Sequence, residues 1–145
     1  MKPPILVLED MPERVEWLRA RAQGHRVVWA QTVTEFLALP EWDGPIALVI
    51  LDHDLDLAHG GEPKVNVGPG PDGLTGLDAA RDMPWVRCPV LVWSVNPIKA
   101  PVMEQEVRLR GMLAIRCPFD SAWMKRTVSL LLFLGRDMAD DIRGG

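Results

Sequence analysis

Six apolar residues, Ile46-Ala47-Leu48-Val49-Ile50-Leu51, run without interruption and stop at Asp52-His53-Asp54. Gly44-Pro45 bounds the run on its other side. A run of this length with no polar break predicts a strand covered on both faces, because a half-exposed strand would alternate. Such strands lie at the centre of parallel sheets, where ligands bind beyond the carboxyl ends. Asp52 stands at that end. Two-residue alternation carried past the strand puts Asp54 on the side of Asp52 and His53 on the other.

A second apolar run, Ile5-Leu6-Val7-Leu8, ends in Glu9-Asp10. If the two strands are neighbours, Glu9, Asp10, Asp52 and Asp54 gather at one sheet edge. Like charges taken out of water need a counter-ion. Mg2+, or another hard divalent cation, fits the need, since it accepts one or two carboxylates and keeps several waters. Asp10 can alternatively cap the first helix.

The rest of the chain alternates strand with helix. The first strand is read over Pro4–Leu8. A helix follows from Pro12, with Val15, Leu18 and Ala22 facing in, Arg14 outside that stripe, and Gly24 as its stop. Val27–Ala30 is the second strand, and Thr32-Val33-Thr34-Glu35 caps a helix reaching about Leu39. After the central strand, residues 55–75 form a Gly- and Pro-rich insert placed to act as a lid. Thr75 caps a helix over Gly76–Met83. Val90–Trp93 is the fourth strand, and a helix from Pro101 to Gly111 should turn Val102, Val107 and Leu109 inward. Met112–Ile115 is the fifth strand. A last helix opens at Ser121, packs Val128, Leu131, Leu132 and Phe133, and ends its strongest part at Gly135.

Strict alternation implies a parallel sheet with helices on both faces. Five strands fit the flavodoxin-like order 2-1-3-4-5, which makes the first and third strands neighbours. Residues 1–135 then form one domain and residues 136–145 a polar tail. At 145 residues a single core suffices. A net charge of −4, and tryptophans with no basic residues interleaved, argue against nucleic acid as a partner. No run approaches a membrane span or a signal peptide, and Cys88 and Cys117 form no metal motif, so a reducing cytoplasm is expected. Gly68, Gly70 and Gly73 spell a dinucleotide fingerprint, but Pro69 and Pro71 remove the amide donors that a phosphate cradle needs.

These residues resemble the receiver domain of two-component response regulators over nearly the whole chain. Glu9-Asp10 is similar to the receiver's metal-binding acid pair, Asp52 to its phospho-accepting aspartate, and Ser94 to its switch hydroxyl. Cys117-Pro118-Phe119-Asp120 resembles the stretch after the fifth strand, with Cys117 where receivers carry a lysine that contacts the phosphoryl group. A thiol offers no such cation. Leu51-Asp52-His53-Asp54-Leu55, Thr75-Gly76-Leu77-Asp78 and Ser94-Val95-Asn96-Pro97 are closer to a divergent receiver-like family proposed to process cyclic phosphates. Trp93 stands where that family tends to carry histidine.

The resemblance implies an atypical receiver-like domain that binds or processes a phosphoryl group. Asp52, Ser94 and Asn96 would do the chemistry, and Glu9, Asp10, Asp52 and Asp54 would hold Mg2+. Its partner would be a phosphate-containing small molecule or phosphodonor, and its activity phosphoryl transfer or cyclic-phosphate hydrolysis. The alternative is a degenerate stand-alone receiver that docks a protein through its helix 4–strand 5–helix 5 face. Lys99 and Lys64 are candidate replacements for the missing lysine. His53 reads as a buried, satisfied side chain, His59 as a loop residue, His25 as remote, and Cys117 as a small apolar filler.

Overall fold

The computed structural model describes residues 2–55 and 68–144, with side chains up to residue 138. Five strands, β1 (Ile5–Leu8), β2 (Val27–Ala30), β3 (Leu48–Leu51), β4 (Val90–Val92) and β5 (Ala114–Arg116), alternate with α1 (Pro12–Arg19), α2 (Val33–Leu37), α3 (Gly76–Asp82), α4 (Lys99–Leu109) and α5 (Met124–Gly144). All pairings are parallel, in the order β2-β1-β3-β4-β5. This is the flavodoxin-like order expected from the alternation.

Period two sorts the strand side chains into two cores. Leu6, Leu8, Val49, Leu51, Val90 and Val92 pack with α2, α3 and α4. Ile5, Val7, Leu48, Ile50, Leu91 and Trp93 pack with residues of α1 and α5. Counting on by two places Glu9 and Asp52 toward the α1/α5 side.

Several element bounds move, each for a local reason. α1 ends at Arg19 rather than at Gly24, and a turn leads to the left-handed Gln23 (φ 54°) and Gly24 (φ 88°). α2 stops at Leu37, short of Leu39, and a 3-10 turn over Pro40–Asp43 follows. α4 begins two residues before Pro101, because proline in a first turn forfeits only an N–H that has no intrahelical partner. Its buried residues are Ala100, Met103 and Val107, whereas Leu109 is 72% exposed and Val102 also faces outward. β5 lies over Ala114–Arg116, later than the expected Met112–Ile115.

α5 runs through Gly135 instead of weakening there. A Cβ at Gly135 would stand 2.3 Å from the Ala47 carbonyl oxygen. The glycine therefore serves a close helix–strand approach, not a stop. Val128, Leu131 and Leu132 are buried as expected, and Phe133 is exposed.

Thr32 caps α2, its Oγ1 accepting the Glu35 N–H at 3.2 Å. Thr32→Ala should cost about 1 kcal/mol, seen as a fall of a few degrees in the melting temperature.

Candidate metal and phosphoryl site

Strand register brings the acids together. Leu8 is level with Leu51, and Leu51 with Val92. The Asp52 N–H donates to the Leu8 carbonyl at 3.1 Å, the Trp93 N–H to Leu51 at 3.1 Å, and the Cys117 N–H to Val92 at 3.0 Å. Glu9, Asp52, Trp93 and Cys117 thus form one row just beyond the carboxyl ends of β1, β3, β4 and β5.

Glu9, Asp10 and Asp52 are all buried, and each offers one carboxylate oxygen within 4.8 Å of the other two. Met11 stands at the cap position of α1, and its side chain makes no capping hydrogen bond. Among the described residues, Arg14 is the cation beside Glu9 and Asp52. Its Nη1 lies 3.2 Å from Glu9 Oε1 and 3.9 Å from Asp52 Oδ2, and its guanidinium rests on the Phe119 ring, 4.9 Å from the centroid. Glu9 Oε2 also accepts the N–H groups of Asp10 (2.9 Å) and Met11 (3.2 Å).

Arg14 meets two of these buried carboxylates, and the electrostatics of Glu9 and Asp52 reflect both its pull and their burial. Burial pushes Asp52 up to about 6, with Arg14 and a hydrogen bond from Glu9 pulling down and Asp10 and Asp54 pushing up. Burial, then the neighbouring Asp52 charge, lifts Glu9 well above the usual carboxylate range against the pull of Arg14. Three hard oxygen donors clustered this closely are a donor set that suits a small divalent cation.

Asp54 does not join the trio. β3 ends at Leu51, and His53 is buried with its ring held by the neighbouring Asp54. The His53 ring Nδ1 lies 2.7 Å from Asp54 Oδ1, and Asn96 Nδ2 donates to both Asp54 oxygens at 3.3–3.4 Å. Asn96 Oδ1 meanwhile accepts the N–H groups of Ile98 and Lys99 at the start of α4. Ser94 is buried, and its Oγ accepts the Asn96 N–H at 3.2 Å. The described hydrogen bonds of Ser94 and Asn96 run to each other, to Asp54 and to α4, not to the trio.

Helix α3 packs against the backbone that carries Asp52 and His53. The Thr75 N–H donates to Asp78 Oδ2 at 2.8 Å, and the Gly76 N–H to the His53 carbonyl at 3.0 Å. A Cβ at Gly76 would sit 1.9 Å from the Asp52 carbonyl oxygen. The three stretches Leu51–Leu55, Thr75–Asp78 and Ser94–Pro97 are therefore joined through Asp52, His53 and Asp54.

Lys99 is exposed, and no ion pair links it to the trio among the described residues. Lys64, His59 and the body of the expected lid lie outside the described residues. The far end of that insert is tied down, with the Leu55 N–H on the Gly68 carbonyl and Asp72 Oδ2 accepting the N–H and hydroxyl of Thr34. Cys117 is buried, and its Sγ receives the Thr127 hydroxyl at 3.5 Å. His25 is buried at the other end of the sheet, with Nδ1 at the Pro3 carbonyl. Sequence reasoning missed Arg14, although a cation in the first turn after an acidic strand end was the available signal.

Comparison with protein-family models gives no match, and neither does comparison with curated proteins. Solved receiver domains share the fold. The N-terminal domain of a response regulator/sensory box/GGDEF protein from Carboxydothermus hydrogenoformans is 14% identical, with a TM-score of 0.60 over 95% of this chain and 97% of that one. A CheY-like receiver domain from Methanospirillum hungatei is 16% identical, with a TM-score of 0.57 over 100% of both chains. The Mn2+-bound form of response regulator Rcp1 is 14% identical, with a TM-score of 0.53 over 92% of this chain and 91% of that one. The fold is thus that of CheY-like receivers, and it carries a buried acidic cluster. No helix among the described residues is long and apolar enough to cross a membrane.

Proposed function

We propose that the chain holds a divalent cation, Mg2+ by chemistry of the donors, on Glu9, Asp10 and Asp52, and that Asp52 receives or orients a phosphoryl group there. The observation that carries this reading is three buried carboxylates offering oxygens within 4.8 Å of one another. The Mn2+-bound receiver with the same fold supports it. When bound, the ion offsets the carboxylate charge and polarises a phosphoryl oxygen.

The chain's own residues set up the transfer. The peptide hydrogen bond from Asp52 to Leu8 and the contact of its carbonyl with Gly76 fix the Asp52 backbone. One Asp52 oxygen forms the new O–P bond while the donor's P–O bond breaks, and its electron pair leaves with the departing group. The finer reading, a cyclic phosphate as substrate, rests on the Asp-His-Asp, Thr-Gly and Asn-Pro resemblance. The mutual contacts of those stretches favour it. In that case water adds to phosphorus and one ring P–O bond opens, leaving a monoester.

The test is incubation with Mg2+ and either acetyl phosphate or a cyclic phosphodiester. Growth of an acid-stable, base-labile phosphoprotein, or turnover of the diester, is expected, and Asp52→Asn should abolish it. Binding of Mg2+ unchanged by Asp52→Asn would refute the site.

A second reading, a protein-docking module, is favoured by exposed apolar side chains along α4 and α5, namely Ile98, Val102, Leu109, Leu130 and Phe133, with Leu113 before β5. It predicts partner binding that Asp52→Asn leaves intact.

A further inference from the structure

We propose that Arg14 and the Phe119 ring form an anion subsite, in which the Arg14 guanidinium binds the phosphoryl oxygens of whatever occupies the acidic pocket. The inference rests on the metal-site reading above and assigns its second half.

The geometry is specific. Arg14 belongs to the first turn of α1, which begins shortly after β1 ends. Its side chain is 12% exposed, so it is largely withdrawn from water yet keeps an opening. Among the described residues its one hydrogen bond is Nη1 to Glu9. The other guanidinium N–H groups hold no described partner, and a guanidinium carries five in a fixed fork. The ring beneath it is itself fixed, packed edge-on against Trp17 at 5.4 Å and Trp93 at 5.2 Å. A planar cation stacked on a ring, with spare donors beside a carboxylate pocket, is suited to bidentate recognition of a tetrahedral oxyanion.

Charge explains why the cation comes from α1. In the row beyond the strands, β4 contributes Trp93 and β5 contributes Cys117, neither of them positive at neutral pH. Arg116 points elsewhere, its Nε lying 3.8 Å from Glu104. Phe119 follows Cys117 by two residues, its N–H held by the Trp93 carbonyl at 2.9 Å, and so carries the ring back over the site as the seat for Arg14. Because Arg14 also touches Glu9 and Asp52, it competes with a metal ion for the same oxygens. Anion and metal should therefore bind together better than either does alone.

The test compares wild type with Arg14→Gln and Arg14→Lys, and with Arg21→Gln as a control. Arg21 also stacks on an aromatic ring, Trp17 at 4.4 Å, but donates to the Trp17 carbonyl, away from the acids. Calorimetry with Mg2+ alone, then with beryllofluoride added, gives both affinities. Arg14→Gln should bind Mg2+ alone at least as tightly as wild type and bind beryllofluoride about 10- to 100-fold more weakly. Arg14→Lys should fall between, and Arg21→Gln should match wild type. Arg14→Lys carries the comparison if the glutamine variant does not fold. Beryllofluoride affinity unchanged in both Arg14 variants, with Mg2+ still bound, overturns the anion subsite and leaves the metal site standing. Wild type that binds Mg2+ but not beryllofluoride also overturns it. Wild type that binds no Mg2+ removes the metal site first.

Discussion

Replacing Gly76 with alanine should lower stability by about 3 kcal/mol and the melting temperature by about 10 °C. The added methyl would lie 1.9 Å from the Asp52 carbonyl oxygen and 2.7 Å from the His53 Cα. Both neighbours are backbone, so no rotamer change relieves the clash. Relief requires α3 to move off the end of β3, which breaks the Gly76 N–H bond to His53 and strips cover from Ala79 and Ala80. Chemical denaturation of the variant measures the loss. A variant within 1 kcal/mol of wild type would show that α3 is not seated on this strand end. The same movement displaces Asp52, so Mg2+ binding should weaken along with stability.

The second large effect couples pH to cation. Asp52 is lifted from an ordinary 3.8 to about 6, and Glu9 is lifted in the same direction. A carboxylate whose pKa is raised by folding binds more protons in the native state. Its contribution is fully present below the unfolded value and is lost as pH rises through the folded one. Between about pH 5 and pH 7.5 the Mg2+-free protein should therefore lose about 1–2 kcal/mol through Asp52 alone. Saturating Mg2+ should reverse this at the higher pH, adding about 2.7 kcal/mol at a hundred times its dissociation constant. Near pH 5 the ion should help less, because protons compete for the same oxygens. Asp52→Asn should flatten the pH dependence, raise Mg2+-free stability at the higher pH and remove most of the Mg2+ response. Thermal melts across pH, with and without Mg2+, decide the matter. Melting temperatures indifferent to both variables would sink the acidic-site account.

Much of this was legible in the chain itself. Buried parallel strands declare themselves as unbroken apolar runs, so Ile5–Leu8 and Leu48–Leu51 and the acids after them were readable, and the topology followed from alternation. What escaped notice depends on positions after an element ends. Beyond Asp52 no strand pairing sets the side-chain direction, so the His53–Asp54 pair and the Asn96 bonds to Asp54 were not readable. Arg14 lies off the apolar stripe of α1 and was placed no further than that, because a helical pattern does not tell which turn lies beside a strand end. Gly135 carried the usual sign of a helix stop, but its role is set by the Ala47 carbonyl, a neighbour nearly ninety residues away in the chain. Leu109 and Phe133 were assigned inward on apolarity alone, and the helix phases turned them out.

The aromatic residues packed around the carboxylates give the molecule a native optical readout. Trp29 donates its indole N–H to the Glu9 carbonyl at 2.7 Å, and Trp93 and Trp17 abut the ring on which Arg14 rests. With no tyrosine in the chain, near-ultraviolet emission comes almost wholly from indole. A charge arriving among Glu9, Asp10 and Asp52 changes the field at those three fluorophores, while Trp85 and Trp123, both exposed, supply a steady background. Occupancy should thus be visible without a label, as a shift in the unmodified protein's own spectrum.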